Sequence, residues 1–415
     1  MRILVVTQYF WPENFRINDL VSEFCSLGHE VTVLTGQPNY PSGIVFPEFK
    51  LNPSAYASFE SASVFRVPVI ARGKGGIGLI LNYASFVMSA TIFGLWRLRG
   101  CKFDVTFVFE PSPITVGLPA IFLSYIKRAP LAFWVLDLWP ETLDAIGAVR
   151  SRYILKAIGS LVTFIYNRCD LILAQSKSFI PQIRQYCQKE IKVEYFPSWS
   201  DATFDYSIVD LAEEVPAAEG VFSIMFAGNI GDAQDFPAIL DAAEVVKGDG
   251  GIRWLIVGEG RASEWVRSEV IRRGLEHCFL LLGNYPVDRM PSFYKHADAL
   301  LVSLKAESIF AMTIPGKLQS YLAAGIPILA MLNGEGAEII RRSGAGISSP
   351  AGDGFALATA VIHMANMNIE ERLKMGRAGL ALSEEEFNRR ALISKLLSWL
   401  NGLCVVEGRQ QERFK

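Results

Sequence analysis

The stretch from Ser303 to Ala330, SLKAESIFAMTIPGKLQSYLAAGIPILA, places a loop, a helix and a buried strand within 28 residues. An apolar strand from Ala299 to Leu304 runs into a loop carrying Glu307 and Thr313. Pro315 and Gly316 then open a helix at Lys317, and Gly325-Ile-Pro closes it before a strand at Ile328 to Ala330. A helix N-terminus at the carboxyl end of a strand is where open α/β sheets bind phosphates.

The same strand-loop-helix grammar extends in both directions. Ile3 to Val6 reads as a strand, Asn18 to Leu27 as a helix stopped by Gly28, and His29 onward as a second strand, giving a βαβ unit with a right-handed crossover. Val105 to Phe109, the loop EPSP, a helix from Ile114 to Tyr125 and strand Leu131 to Leu136 continue the pattern into Asp137. Beyond an acidic, poorly periodic segment at 201–220, it resumes with Phe222 to Ala227, the turn Gly228-Asn-Ile-Gly, a helix from Phe236, strand Trp254 to Val257 and the turn Gly258-Glu-Gly. The fold class is therefore α/β, with two tandem Rossmann-like doubly wound domains whose ligand lies in the cleft between them. At 415 residues, two domains of about 200 residues are the default. The boundaries read as 1–200, a linker at 201–220, a second domain at 221–385 and a terminal helical segment at 386–415.

Composition narrows the chemistry. The net charge of −2 hides an asymmetry: residues 1–200 carry net +5 and the remainder −7, so the first domain prefers anionic surroundings. Six cysteines without CxxC spacing read as reduced cytosolic thiols, and four histidines without ligand spacing leave no protein-bound metal site. Gly75 to Trp96 carries no charge and is bracketed by Arg72, Lys74, Arg97 and Arg99. By length it could cross a bilayer, yet Asn82, Tyr83, Ser85, Ser89 and Thr91 punctuate it. A helix half buried on the sheet and half in contact with a membrane, a core helix and a true span all remain open. In the first and last, Trp96 and the flanking cations meet the headgroups.

Several residues are candidates for the site. Gly228, Asn229, Ile230 and Gly231 let backbone N–H groups approach a phosphate, with Gln234 and Glu259 nearby; a tight βα turn is the plainer reading. Lys317 sits in the first turn of a helix, where a cation opposes the helix dipole unless an anion neutralises it. Thr313, Ile314, Pro315 and Gly316 lead into it, and Gln319 and Ser320 follow. Glu307 could accept hydrogen bonds from sugar hydroxyls. Asp137 ends the apolar run FWVLD, where a catalytic or acceptor-orienting role competes with a structural one. The loops holding Glu13, Asn14, Phe15 and Arg16, and Asn39 with Tyr40, form the rim.

At these residues the sequence resembles a family. QYFWPENFRINDL, GHEVTVLTGQPNYPSG, RGKGGIGLILNYASF, DLWPET, AGNIG and TIPGKLQSYLAAGIPILA are similar to the bacterial GT-B glycosyltransferases of family 4, in the branch with L-fucosamine and colanic-acid or O-antigen transferases. The resemblance implies retaining, metal-independent transfer from a nucleotide sugar, UDP-linked by preference, held by the second domain. It implies a final helix that crosses back to the first domain. The implied acceptor is a polyprenyl-diphosphate-linked saccharide at the cytoplasmic face of the inner membrane. Three departures from the family pattern stand out. Asn229 and Gln234 occupy the places of a diphosphate-binding Arg and Lys. Ser320 replaces one of a pair of glutamates, with Glu307 the nearest candidate for the other. Asp137 lies near the place of a catalytic histidine. Those departures move phosphate neutralisation onto Lys317, Arg16 and the backbone of Asn229–Gly231 and Thr313–Gly316. A catalytically silent donor-binding subunit and a UDP-sugar 2-epimerase are the alternatives.

Overall fold

The computed structural model describes residues 1–73, 76–145, 147–200, 209–248 and 250–412, with backbone only at Ile77 and 406–412. Lys74 and residues 201–208 of the expected linker lie outside them. The chain divides into two compact units, Met1–Phe196 with Ile393–Lys415, and Pro197–Leu392.

The first unit is built on an eight-stranded sheet. Its strands are β1 (Arg2–Val6), β2 (Glu30–Gly36), β3 (Ser58–Phe59), β4 (Ala62–Val67), β5 (Val105–Glu110), β6 (Leu131–Val135), β7 (Leu171–Ala174) and β8 (Lys192–Tyr195), in the order β3-β4-β2-β1-β5-β6-β7-β8. All adjacent pairs are parallel except β3 with β4. Runs such as TFVF and LAFWV are buried on both faces, as a parallel sheet covered by helices requires. β4 was not legible in the sequence, because in ASVFRV Ser63 and Arg66 interrupt the apolar residues and no clean run or alternation results. The winding moves outward from β1 to β4, then returns to β5 on the other side of β1, which makes the β1/β5 carboxyl ends a switch point.

The second unit carries β9 (Phe222–Ala227), β10 (Ile252–Val257), β11 (Phe279–Gly283), β12 (Ala299–Ser303), β13 (Ile328–Met331) and β14 (Gly346–Ser349), ordered β11-β10-β9-β12-β13-β14 and all parallel. Its switch point lies between β9 and β12, which pair only through Ala299–Ile224 and Leu300–Met225. Over residues 209–220 the segment expected as a linker packs on this unit: Ala212 and Val215 are buried, and Arg289 meets Glu214 at 2.9 Å.

The helix Gly76–Arg97 packs by one face only. Asn82, Phe86, Ser89 and Ala90 are buried, while Trp96 (66% exposed), Ile80 (66%), Met88 (64%) and Ile92 (61%) face outward. It is therefore not an ordinary core helix. Arg72, expected at a membrane, instead lies over the Tyr40 ring at 5.5 Å, whereas Arg97 is exposed and stacks on Trp96 at 5.1 Å. Arg99 is exposed as well.

Glu13 joins two loops rather than lining a rim. It is buried, and its carboxylate accepts from the N–H groups of Asn39 (2.8 Å), Tyr40 (2.7 Å) and Phe10 (3.1 Å). Burial pushes its pKa up, and those three hydrogen bonds oppose the shift. Arg66 clamps the same loops by donating to the carbonyls of Trp11, Gly36 (3.1 Å) and Tyr56 (3.3 Å). Replacing Glu13 with Ala leaves three buried donors without an acceptor, so the loss is expected at about 2–4 kcal/mol in urea unfolding. A change below about 0.5 kcal/mol, the range of neutral surface substitutions, would contradict this role.

Candidate functional site

The second unit's site grows from its switch point. Where β9 and β12 part, Tyr321 of the helix Gly316–Ala324 fills the gap: its hydroxyl accepts from Ala227 N at 2.9 Å and donates to Ala227 O at 3.2 Å. That anchorage aims the helix's first turn at the carboxyl end of β9. From it Lys317 runs across Gly228, and its ammonium lies 3.4 Å from the centroid of the Phe226 ring. Gly228 has φ +136°, and a Cβ there would collide with Lys317 Cε. The turn needs a glycine for both reasons.

Lys317 Nζ is shut off from solvent and has no hydrogen-bond partner among the described residues. Burial pushes its pKa down to about 7. An ammonium stripped of water and hydrogen bonds costs several kcal/mol, which the ring face offsets only in part. An arriving anion supplies what the cavity lacks.

The neighbouring residues are more committed than the sequence suggested. Gly228, Ile230 and Gly231 already donate their N–H groups to Val257 O (2.8 Å), Glu259 O (3.1 Å) and Gln234 Oε1 (3.2 Å). The Gly228–Gly231 turn is thus a closed turn braced on Gly258-Glu-Gly, not an open phosphate cradle. Asn229 is exposed with its amide 3.5 Å from Gln234 Oε1, so those two side chains hold each other. Gln319 is buried, with its amide nitrogen placed to donate to Gly316 O and Pro315 O at 2.9 Å each, which makes it a brace of its own helix. Ile314 is buried, and Thr313 donates its hydroxyl to Ile309 O. Glu307 and Glu259 are exposed; Glu307 begins a short helix, Ser308–Met312, that the loop composition had hidden. Pro315, Gly316 and Ser320 belong to the same helix start or first turns.

The first unit gathers a second constellation at its own switch point. Asp137 is half-buried just beyond β6, accepting from Thr142 Oγ1 (2.5 Å) and Trp139 Nε1 (3.3 Å). Burial raises its pKa against those bonds. Beside it Glu110, the last residue of β5, is fully buried, and neither carboxylate oxygen has a partner among the described residues. Glu110 was missed because EPSP reads as a loop; the signal was an acid abutting the run TFVF. Burial first, then Asp137, pushes its pKa well up. Tyr83 joins from the helix Gly76–Arg97, and Tyr9, Phe15 and Tyr40 form an aromatic group with centroids 5.2–5.5 Å apart. Asn39 is buried, Asn14 exposed, and Arg16 pairs with Asp19 at 3.4 Å. Among the described residues no group of three or more His, Cys, Asp or Glu side chains is arranged to hold a metal.

With both constellations described, comparison with known proteins bears on the fold and on the second unit. Residues 221–367 match the model of the family described as glycosyl transferases group 1. A protein of Escherichia coli (strain K12) named as a colanic acid biosynthesis glycosyl transferase, WcaI, is 24% identical over 78% of this chain and 82% of its own. Glycosyltransferase WbjE of Pseudomonas aeruginosa is also 24% identical, over 65% and 70%. The crystal structure of Anabaena Alr3699/HepE in complex with UDP and glucose superposes with TM-score 0.67 at 14% identity, covering 97% of this chain and all of that one. The fold is GT-B, and within the second unit residues 221–367 are similar to glycosyl transferases group 1.

Gly228→Ala is expected to destabilise the protein by about 1–3 kcal/mol from backbone strain and to push Lys317 off the Phe226 ring. NMR titration of the Lys317 side chain should then show its pKa rising from about 7 toward the ordinary 10.5. An unmoved titration in the folded variant would contradict the packing.

Proposed function

We propose that this protein is a retaining glycosyltransferase that moves a sugar from a UDP-linked donor, held by the second unit, to a saccharide acceptor on the first. The observation that carries the reading is Lys317, a buried amine without a partner beside the β9 turn of a group 1 glycosyltransferase domain. Departure of a nucleoside diphosphate leaves charge that a preorganised cation stabilises far better in a dry site than in water. The WcaI, WbjE and HepE likenesses support polysaccharide assembly and a UDP-linked donor. The sequence motifs support a deoxy- or amino-sugar, with N-acetyl-L-fucosamine the first to test. No step of this reading calls on a metal ion.

Lys317→Ala is expected to lower turnover at least about 100-fold in a folded protein, the scale of losing one transition-state donor. Near-normal turnover would remove Lys317 from the reaction. The amine must also gain a proton when the diphosphate arrives. UDP affinity should therefore rise as pH falls toward about 7 and level off below it, with proton uptake visible by calorimetry in buffers of different ionisation enthalpy. Transfer, epimerisation or binding without turnover, read on a panel of UDP- and GDP-sugars with a lipid-linked saccharide, separates this function from its alternatives.

The acceptor in this proposal is polyprenyl-diphosphate-linked, and the protein is peripheral on the cytoplasmic face of the inner membrane, as O-antigen or capsule synthesis requires. The exposed apolar face of Gly76–Arg97, with Arg97 and Arg99 at its end, supports that location. The triple substitution Met88→Asn, Ile92→Asn, Trp96→Ser should abolish flotation with phosphatidylglycerol-phosphatidylethanolamine liposomes. Undiminished flotation of the folded variant counts against it.

A further inference from the structure

Glu110 ends β5 at the first unit's switch point, and its register partner on β6 is Val135, two residues before Asp137. The two carboxyl groups thus leave the same edge of the sheet side by side. Their surroundings differ. Asp137 is half-buried, with the Thr142 hydroxyl and the Trp139 indole donating to it. Glu110 lies wholly inside, and its oxygens have no side-chain partner among the described residues; the backbone N–H groups of Leu136 and Asp137 approach the carboxyl and oppose, without overcoming, the upward push of burial. The titratable groups that face Glu110 are Asp137, Tyr83 from the helix Gly76–Arg97, and the buried Tyr166 hydroxyl from the helix Arg152–Tyr166. Arg72, the nearby cation, faces Tyr83, Tyr9 and the Tyr40 ring.

Two neighbouring carboxyl groups without a cation between them do not both ionise, and the more buried member keeps the proton. We propose that Glu110 and Asp137 form a one-proton pair: Glu110 is held as the neutral acid, and Asp137 remains ionised to accept the hydrogen bond of the acceptor hydroxyl. Glu110 is then a positioning residue, whose neutrality lets Asp137 carry charge at the edge of the interior. The role of Asp137 toward an acceptor rests on the transferase reading, whereas the protonation of Glu110 is testable in the protein alone.

Glu110→Gln fixes the neutral state without changing shape. A carboxyl whose pKa is raised on folding contributes stability that is full at low pH and is lost as pH rises through the folded value. The stability of the wild type relative to Glu110→Gln should therefore decline in urea unfolding as pH rises above the ordinary carboxylate range toward the raised folded value. An infrared carbonyl band of a protonated carboxyl, present in the wild type at neutral pH, should be missing from Glu110→Gln. Parallel unfolding curves together with an unchanged infrared spectrum overturn the pair. If Glu110→Gln does not fold, Asp137→Asn serves: removing the neighbouring charge should lower the pH at which the band disappears, and an unmoved band overturns the coupling. In the transfer assay the pH profile of Glu110→Gln should lose the alkaline fall that ionisation of Glu110 imposes on the wild type. A wild-type alkaline limb in that variant sinks the positioning role even if the band behaves as expected.

Discussion

A parallel sheet that reverses its winding cannot keep neighbouring strands paired to their ends, and both sheets of this protein are organised by that constraint. In the second unit β9 and β12 hold register for two residue pairs before they part. The backbone groups freed there need partners, and the Tyr321 hydroxyl supplies them as both acceptor and donor to Ala227. That one side chain ties the helix Gly316–Ala324 to the sheet, and everything the helix presents at its start depends on it.

Burial of charge distinguishes structural from functional groups in this fold. Glu13 and Glu110 are both buried carboxyls with raised pKa, but Glu13 accepts three well-formed backbone N–H bonds, whereas the Leu136 and Asp137 N–H groups approach Glu110 without forming bonds of that quality. Three charge-assisted hydrogen bonds at about 1.5–3 kcal/mol each are of the order of the desolvation cost, so Glu13 is explained by the fold. The fold compensates Glu110 only in part, through the approaching Leu136 and Asp137 N–H groups, and Lys317 only by a ring face. Such groups persist where a reaction or a ligand uses them. The two lie at the two switch points, where open α/β sheets bind ligands.

How much of this was legible in the sequence follows from what each residue type reports. The alternation of buried runs with helical spacing gave both sheets, because apolar runs such as TFVF and WLIV have no other stable place. The site was legible at Lys317 and Asp137, where charge interrupts an apolar or helix-start pattern. It was not legible at Glu13, whose partners are backbone N–H groups 26 and 27 residues away. Nor could spacing reveal that the N–H groups of Gly228 and Ile230 are already bonded, since that depends on Val257 and Glu259 closing from the next strand. Glu110 was obscured by its neighbours: Pro and Ser after it signal a turn, while its own burial is set by β6 and two helices.

The helix Gly76–Arg97 inverts the usual arrangement of an amphipathic element. Its polar side chains point inward: Asn82 accepts from Gln8 Nε2 at 2.6 Å and donates to Ile70 O at 2.6 Å, and Tyr83 faces Asp137 and Glu110. Apart from the buried Phe86, large apolar side chains such as Ile80, Met88, Ile92 and Trp96 point out. A sheet-covering helix gains stability by burying apolar area, so this one forgoes part of that gain on its outer face while building the site with its inner face. Both faces follow from one sequence, and a change that reseats the helix alters surface and site together. Asn82 is the residue that fixes this setting, because it binds the loop after β1 and the chain before the helix at once.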